Sequence, residues 1–535
     1  MNMVRHYFNK NAKVIFLLII ILAIAFRVQY LDKSFQRDEV SFIWPAKSIN
    51  EKGVPLFSEK YLFDNASMSK TFCRSPAYLF YLSEIMHFTD SESLIRLSIV
   101  TFSVLTVALI FFVGEMLGGK KLGLLSSFLL AINRLHVEHS QIVDVDGSIL
   151  TFLVLLAVFF LMKFWKSRKD KYLIYSILPI SIGLLFKEPI ILIFPALFIY
   201  SYKRKELQKT FAVFLSSLAV FLFFMLLFSN LYSTDFLDCS IRWVNSFVLH
   251  SAFSSQATGS LNYLQRIFQF VGISSWDLTL PLIILFIISL FYSFKAKRDE
   301  YRFLIYFSII FILFCSGVLG VTRYFVPIIP IACLLAATYV LDFKILNRKS
   351  IAVAFIIAAV CFSAFYLLKI RTDILFLNDF KSNLQLIAIP FIVPLIPLLF
   401  YFSRYRKLAI LILFGMYIGF NLYFAQESVN PLITPDYGRV SIDAANFVKD
   451  STSGPVVTHL DIAFYSGRPF YDIIATFLSP QYLKNLTDEV KPLYVVYRTN
   501  SLVIRPGVED FLKSNCQKIG GETSRGVEIF KAYRC

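Results

Sequence analysis

VIFLLIIILAIAFRVQYLDKSFQRDEVSFIWPAKSI, residues 14–49, sets an unbroken apolar run directly before two adjacent carboxylates, Asp38 and Glu39. The run 14–26 continues through Val28, Tyr30 and Leu31, and so approaches the ~20 residues that cross a bilayer. A cleaved signal peptide is the competing reading. No small-residue cleavage site follows, and many further apolar runs do, so a retained first helix is expected.

The rest of the chain agrees. It has 535 residues, 57% hydrophobic and 17% aromatic, with a mean hydropathy of +0.65, beyond what a soluble globular protein of this length needs. The expectation is an all-α polytopic membrane protein with about thirteen transmembrane helices. Spans are expected near residues 13–31, 94–117, 122–141, 147–163, 171–186, 189–202, 209–229, 278–294, 303–320, 324–341, 350–368, 384–402 and 407–425. The apolar stretch 78–88 is too short to cross and reads as a helix lying at the membrane edge. Given that, the N-terminal tail and the segments GGKK, KFWKSRKDK, KRKELQK, KAKRDEYR, DFKILNRK and RYRK all fall on one side. The positive-inside rule makes that side, with the N-terminus, cytoplasmic. The net charge of +17 is therefore a topological signal, and no nucleic-acid partner is expected.

The opposite, extracytoplasmic face receives the first outer loop (32–93), the 133–146 connection, Lys187-Glu188, the 230–277 loop, Arg323, and everything after about 426. Residues 1–425 read as a membrane domain. Residues 426–535 read as a small α/β domain, with strands in GPVVTH (454–459) and PLYVVYR (492–498) and amphipathic helices in SIDAANFVKD (441–450) and VEDFLKSN (508–515). Of seven cysteines, Cys315, Cys333 and Cys361 lie in apolar runs and read as inert packing residues. Cys516 and Cys535 would be free to pair if their domain faces an oxidising compartment.

Several polar residues on the outer side carry possible chemistry, and each also has a plain reading. Asp38-Glu39 alone would be a solvated stop to the first helix. Lys70 and Arg74 precede Ser75-Pro76 as headgroup-level cations. The turn NRLHVEHSQIVDVDGSIL (133–150) gathers His136, Glu138, His139, Asp144 and Asp146. Its D-x-D suits either a divalent cation (Mg, Mn or Zn), with Glu39, His139, Asp144 and Asp146 as the candidate ligands, or ordinary loop hydrogen bonds. Lys187 and Arg323 are snorkelling cations on the plain reading. Taken together, cations and carboxylates at one leaflet imply a shared polar cavity, because charge near hydrocarbon is costly without a partner. A carboxylate there can take a proton from an acceptor hydroxyl, and cations can hold a departing phosphate. Those parts suit sugar transfer from a lipid phosphate.

In order along the chain, five segments resemble the GT-C transferases of the dolichyl-phosphate-mannose protein mannosyltransferase type and the related bacterial aminoarabinose (lipid A) transferases. QRDEVSFIWPAKSI resembles the family's outer-loop Asp-Glu. RSPAYLFYLSEIMHF resembles its Pro-Pro-Leu-Tyr-Tyr segment, with Ser75 at the first Pro. GEMLGGKKLGLLSSFLLAINRLHVEHSQIVDVDGSILTFLVLLAVFF resembles its small-residue helix, polar turn, Ser and Asp, which places Asp146 at the family Asp. GLLFKEPIILIFPALF resembles its Thr-Lys-Gly-Pro segment, with Glu188 for Gly. RYFVPIIPIACLLAA resembles its Arg-Tyr…Pro…Pro segment. The resemblance covers roughly residues 10–345.

The resemblance implies a GT-C fold and a membrane glycosyltransferase moving one sugar, with inversion, from a polyprenyl-phosphate donor. The acceptor would be a protein, lipid A, or another glycolipid or glycan. It implies Asp38 as base, Glu39 orienting the acceptor or binding metal, and Asp146 positioning the sugar or a cation. Lys187, Arg323, Arg74 and Lys70 would hold the donor phosphate, and Tyr78 and Tyr324 would line the lipid groove. The loops are too short for a β-trefoil insert and no retention signal ends the chain, so a prokaryotic inner membrane is expected. The Trp-Trp-Asp signature of oligosaccharyltransferases is absent. The alternatives are a transporter or flippase for a lipid-linked or anionic substrate, though no inverted repeat is visible, and a scaffold whose outer domain binds a partner.

Overall fold

A computed structural model describes residues 2–29, 31–35, 37–56, 75–243, 280–295, 299–318, 322–342, 353, 356–357, 406–427, 437–472, 480–498, 507–524 and 527–535. In chain order the helices are α1 (Asn2–Arg27), α2 (Arg37–Lys52), α3 (Pro76–Phe88), α4 (Glu92–Gly118), α5 (Lys120–Ile132), α6 (Arg134–Glu138), α7 (Ser148–Ser167), α8 (Lys171–Phe186), α9 (Ile193–Arg204), α10 (Leu207–Leu231), α11 (Phe236–Trp243), α12 (Leu280–Lys295), α13 (Asp299–Val318), α14 (Ile329–Asp342) and α15 (Arg406–Glu427). A mixed segment follows: α16 (Tyr437–Ser451), β1 (Val456–Thr458), α17 (Leu460–Ser466), β2 (Phe470–Asp472), α18 (Pro480–Glu489), β3 (Tyr494–Arg498), α19 (Val508–Asn515), β4 (Gln517–Ser524) and β5 (Val527–Arg534).

Each expected span within the described residues overlaps helical structure. The spans expected near 350–368 and 384–402 fall outside them, apart from 353 and 356–357. Among the described residues, four helical stretches are long and apolar enough to cross a membrane: Glu92–Gly118, Ser148–Ser167, Leu207–Leu231 and Tyr324–Asp342. Three expected spans are broken. Asn133 ends the 122–141 run by capping α6, its side chain accepting from His136 N–H at 3.0 Å. Residues 188–192 and 322–328 are 3-10 helices, each containing a proline, ahead of α9 and α14.

The chain divides into two compact units. The first comprises residues 1–29, 97–225 and 240–429, and the second residues 30–96, 226–239 and 430–535. The boundary between them runs through α4 and α10 rather than at one sequence position.

Within the first unit, α4 and α5 approach at glycines. A Cβ on Gly123 would lie 2.5 Å from the Phe111 carbonyl oxygen, and one on Gly114 would lie 2.8 Å from Gly123 Cα. Only small residues let two membrane helices come this close. Helix α14 is apolar on every side and buried throughout Ile329–Val340, between α5 and α12. On α10, by contrast, Phe211, Leu215 and Phe223 are more than half exposed. That surface needs an apolar solvent.

Within the second unit the sheet order is β2-β1-β3-β5-β4, with β1 parallel to β2 and β3, and β5 antiparallel to β3 and β4. Alternation divides each strand between two apolar layers. Val456, Tyr494 and Val496 pack with Ala444 and Val448 of α16 and Ile462 of α17. Val457, Val495 and Tyr497 pack with Leu483 and Leu486 of α18 and Leu512 of α19. A Cys516–Cys535 disulfide joins the start of β4 to the end of the chain.

Candidate functional site

Each unit holds one buried polar cluster that includes residues singled out by sequence. In the first unit the cluster forms where two chain reversals meet. Helix α8 stops at Phe186, just ahead of the 3-10 helix 188–192 that contains Pro189. Lys187 is extended (φ −159°, ψ 137°), and its N–H donates to the Gly183 carbonyl at 2.7 Å. Gly183 lets the Ile190 side chain pack against α8 at the reversal. The other reversal is the turn before α7. The Asp144 carboxylate accepts the Asp146 N–H at 3.1 Å, an Asx turn. Gly147 follows, where a Cβ would lie 2.7 Å from the His139 carbonyl oxygen.

These two turns bring Lys187 Nζ to 3.4 Å from Asp146 Oδ1, both side chains at most 5% exposed. The ammonium also sits 5.6 Å from the centre of the Tyr324 ring, within cation–π range. Residues 146, 187 and 324, far apart in sequence, therefore share one place. A buried lysine beside a carboxylate can bind an anion as a point charge. It is also strongly destabilised if its partner is removed.

The α5–α6 junction that leads into this turn is held by a fully buried arginine. Arg27, at the end of α1, donates to Ser103 Oγ (2.7 Å), to the Ala23 and Ala131 carbonyls (2.9 and 3.0 Å) and to His136 Nδ1 (2.8 Å). Since a guanidinium only donates, His136 Nδ1 is the acceptor and its proton sits on Nε2. Gln141 Nε2 adds a bond to the Phe26 carbonyl at 3.1 Å. From the other side Asn421 Oδ1 accepts the Arg134 N–H at 2.7 Å.

In the second unit α2 begins at Arg37, so Asp38 and Glu39 lie in its first turn. The Asp38 backbone is placed on that turn; its side chain lies outside the described residues, as does that of Arg323. Glu39 is buried, and Arg96 grips both its oxygens, with Nη2 donating to Oε2 at 2.8 Å and Nη1 to Oε1. Arg96 also donates to the carbonyls of Lys33 and Ser34, both at 3.1 Å. Tyr78 is fully buried, edge-on to Phe42 at 5.1 Å, where α3 packs on α2. Lys70 and Arg74 lie outside the described residues.

The sequence did not single out Arg96 or Arg27. Their one visible signal was a lone cation inside or beside an apolar run, as in ESLIRLSIV (92–100). Among the described residues no three His, Cys, Asp or Glu side chains converge to hold a metal ion. Arg96 occupies Glu39, and Asp146 faces Lys187. Two of the candidate ligands, Glu39 and Asp146, are thus engaged by cations, and no step is derived through a metal.

Residues 74–232 match the family model of dolichyl-phosphate-mannose-protein mannosyltransferase. That segment contains both turns just described. The fold is similar to that of ArnT from Cupriavidus metallidurans in the apo state, with a TM-score of 0.61 and 14% identity over 98% of each chain. The same protein bound to undecaprenyl phosphate gives 0.61 and 14% over 97% of each chain. The archaeal oligosaccharyltransferase AglB from Archaeoglobus fulgidus, in complex with an inhibitory peptide and a dolichol-phosphate, gives 0.55 and 11% over 92% of this chain and 70% of that one. At such identities the likeness is one of fold. No curated protein sequence matches the chain.

Proposed function

We propose that the chain is an integral-membrane glycosyltransferase of the GT-C type, similar to the mannosyltransferases and ArnT. It moves one sugar from a polyprenyl-phosphate donor to an acceptor on the extracytoplasmic face. The acceptor class is a protein, lipid A, or another glycolipid or glycan. The observation that carries the proposal is the Lys187–Asp146 pair beneath Tyr324, lying in a segment that matches the mannosyltransferase model.

The acceptor oxygen attacks the anomeric carbon while the bond from that carbon to the phosphate oxygen breaks. The phosphate leaves with the bonding electrons, and the configuration inverts. Lys187, joined by Arg323 and by Arg74 or Lys70, meets the growing negative charge on the phosphate. Asp146 holds Lys187 in place and positions the sugar. Asp38 receives the acceptor's proton. Between the two adjacent carboxylates the choice falls on Asp38, because Arg96 already engages both oxygens of Glu39. Tyr324 flanks the phosphate subsite, and Tyr78 supports α2 beside the lipid groove.

The N-terminus is cytoplasmic and the α/β domain extracytoplasmic on this reading, in a prokaryotic plasma membrane. The Cys516–Cys535 disulfide supports that side, since such bonds persist in oxidising compartments. Mass spectrometry of glycolipids and glycoproteins from cells with and without the gene tests the proposal. One acceptor should lose one sugar residue in the deletion strain. Loss of that sugar with a polyprenyl-phosphate sugar stranded on the cytoplasmic leaflet would instead indicate a flippase, and an unchanged glycan profile would contradict the proposal.

A further inference from the structure

The helix carrying Asp38 is held by residues from the far end of the chain. Tyr465 of α17 accepts the Phe35 N–H at 2.7 Å and donates to Glu92 Oε1 at 2.9 Å. Burial, reinforced by Glu92 beside it, raises the Tyr465 phenol far above its usual range, so it stays a donor. Glu92 lies one helical turn before Arg96 on α4. Arg96 in turn holds Glu39 and the carbonyls of Lys33 and Ser34, and its guanidinium covers the Phe35 ring at 5.2 Å. Tyr465, Glu92, Arg96, Glu39 and Phe35 thus close a ring of contacts around the first turn of α2. Two turns further on, Trp44 stacks on Phe470 of β2 (5.6 Å, 17° between planes) and meets Phe464 of α17 edge-on at 5.4 Å.

We infer that the C-terminal α/β layer is a positioning element for the Asp38 helix, acting through Tyr465 at its first turn and Trp44 further along. The inference rests on the proposed role of Asp38. A free-standing partner-binding module would need no polar ring closed on α2, and an inert cap would need only the apolar Trp44 contact. A hydrogen-bonded tyrosine directed at the turn that bears the base fixes that turn's orientation, and small misplacements of reacting groups cost rate steeply. Tyr465 and Trp44 are positioning residues; neither touches substrate in this account.

The test uses the full chain in detergent, comparing Tyr465→Phe, Trp44→Ala and Trp44→Phe with the parent and with the exposed-site control Lys484→Ala. Two quantities are read: amide hydrogen exchange over residues 35–43, and sugar transfer from a labelled polyprenyl-phosphate sugar. Tyr465→Phe should speed exchange over 35–43 and lower kcat about 10- to 100-fold with donor KM unchanged. Trp44→Ala should act in the same direction, and Trp44→Phe should restore most of the loss. A merely structural role would lower the folded fraction without splitting kcat from KM. Unchanged exchange over 35–43 overturns the inference whatever the activity. Faster exchange with unchanged kcat also overturns it. If the parent itself transfers no sugar, the proposed function fails, while the exchange result still decides whether the C-terminal layer holds α2.

Discussion

Arg96 and Glu39 form a two-pronged ion pair, Nη2 to Oε2 at 2.8 Å, with both side chains at most 3% exposed. Their burial makes the pair costly to break from one side, because the remaining charge keeps its desolvation penalty. Arg96→Met should therefore lower the unfolding free energy of the second unit by about 3–5 kcal/mol. Arg96→Lys should recover little, since an ammonium cannot bridge both oxygens with the planar geometry of a guanidinium. Thermal unfolding followed by tryptophan fluorescence checks both variants, and equal stability of Met and wild type would remove the pair from the account.

Lys187 is expected to act on the departing phosphate. Lys187→Met should reduce kcat/KM for transfer about 10²- to 10³-fold, in line with the loss of one stabilising group at a developing oxyanion. Asp146→Asn removes the carboxylate charge 3.4 Å from the buried ammonium. It should reduce both expression and turnover, and the double variant should express better than Asp146→Asn alone. Steady-state kinetics on purified protein, with yields quantified by in-gel fluorescence, gives the comparison.

The α4–α5 contact depends on Gly123. A Cβ there meets a backbone carbonyl oxygen at 2.5 Å, which cannot rotate away as a side chain can. Gly123→Val should cost about 1–3 kcal/mol or prevent accumulation of folded protein. Gly119 has open space where a Cβ would stand, but its φ of +82° with ψ 178° is a backbone region essentially confined to glycine, so Gly119→Ala and Gly119→Asn should both lower stability. Size-exclusion profiles of the purified variants separate these outcomes.

Cys516 and Cys535 close a loop with a sequence separation of 19. Cys516→Ser should destabilise the α/β layer by about 3 kcal/mol on the loop-entropy account. Alkylation of membranes prepared without reductant should leave both thiols unlabelled if the domain faces an oxidising compartment. Full labelling in intact cells would place that domain in the cytoplasm and reverse the topology.

How much of this was legible depends on the range of the interaction. VEDFLKSN reads as one amphipathic helix and is one, Val508–Asn515, because its pattern is local. GPVVTH and PLYVVYR contain β1 and β3 for the same reason: short β-branched runs buried on both faces. The antiparallel pair β4–β5 was not legible. QKIGGETS is polar and glycine-rich, and it gains strand structure only by pairing with β5. Asn133 shows why window averages merge elements: one capping residue splits an apolar run that hydropathy treats as continuous. In the candidate site, Asp146 and Lys187 were visible as charges next to apolar runs that should share a polar cavity, but their direct pairing was not, since two turns far apart in sequence create it. Tyr465 lay furthest from view. Its partner Phe35 is 430 residues away, and nothing local to LDIAFYS marks that tyrosine as more than a packing residue.

The central claim, that Asp38 activates an acceptor against a lipid-phosphate sugar, is tested most directly by one comparison in detergent. Wild type and Asp38→Asn, matched for folded amount and disulfide content, are each given a tritium-labelled polyprenyl-phosphate sugar and the acceptor fraction from the deletion strain. The account predicts that wild type moves the label from lipid to acceptor, while Asp38→Asn retains donor binding and loses at least about 10²-fold in transfer. Transfer by Asp38→Asn at the wild-type rate would contradict it.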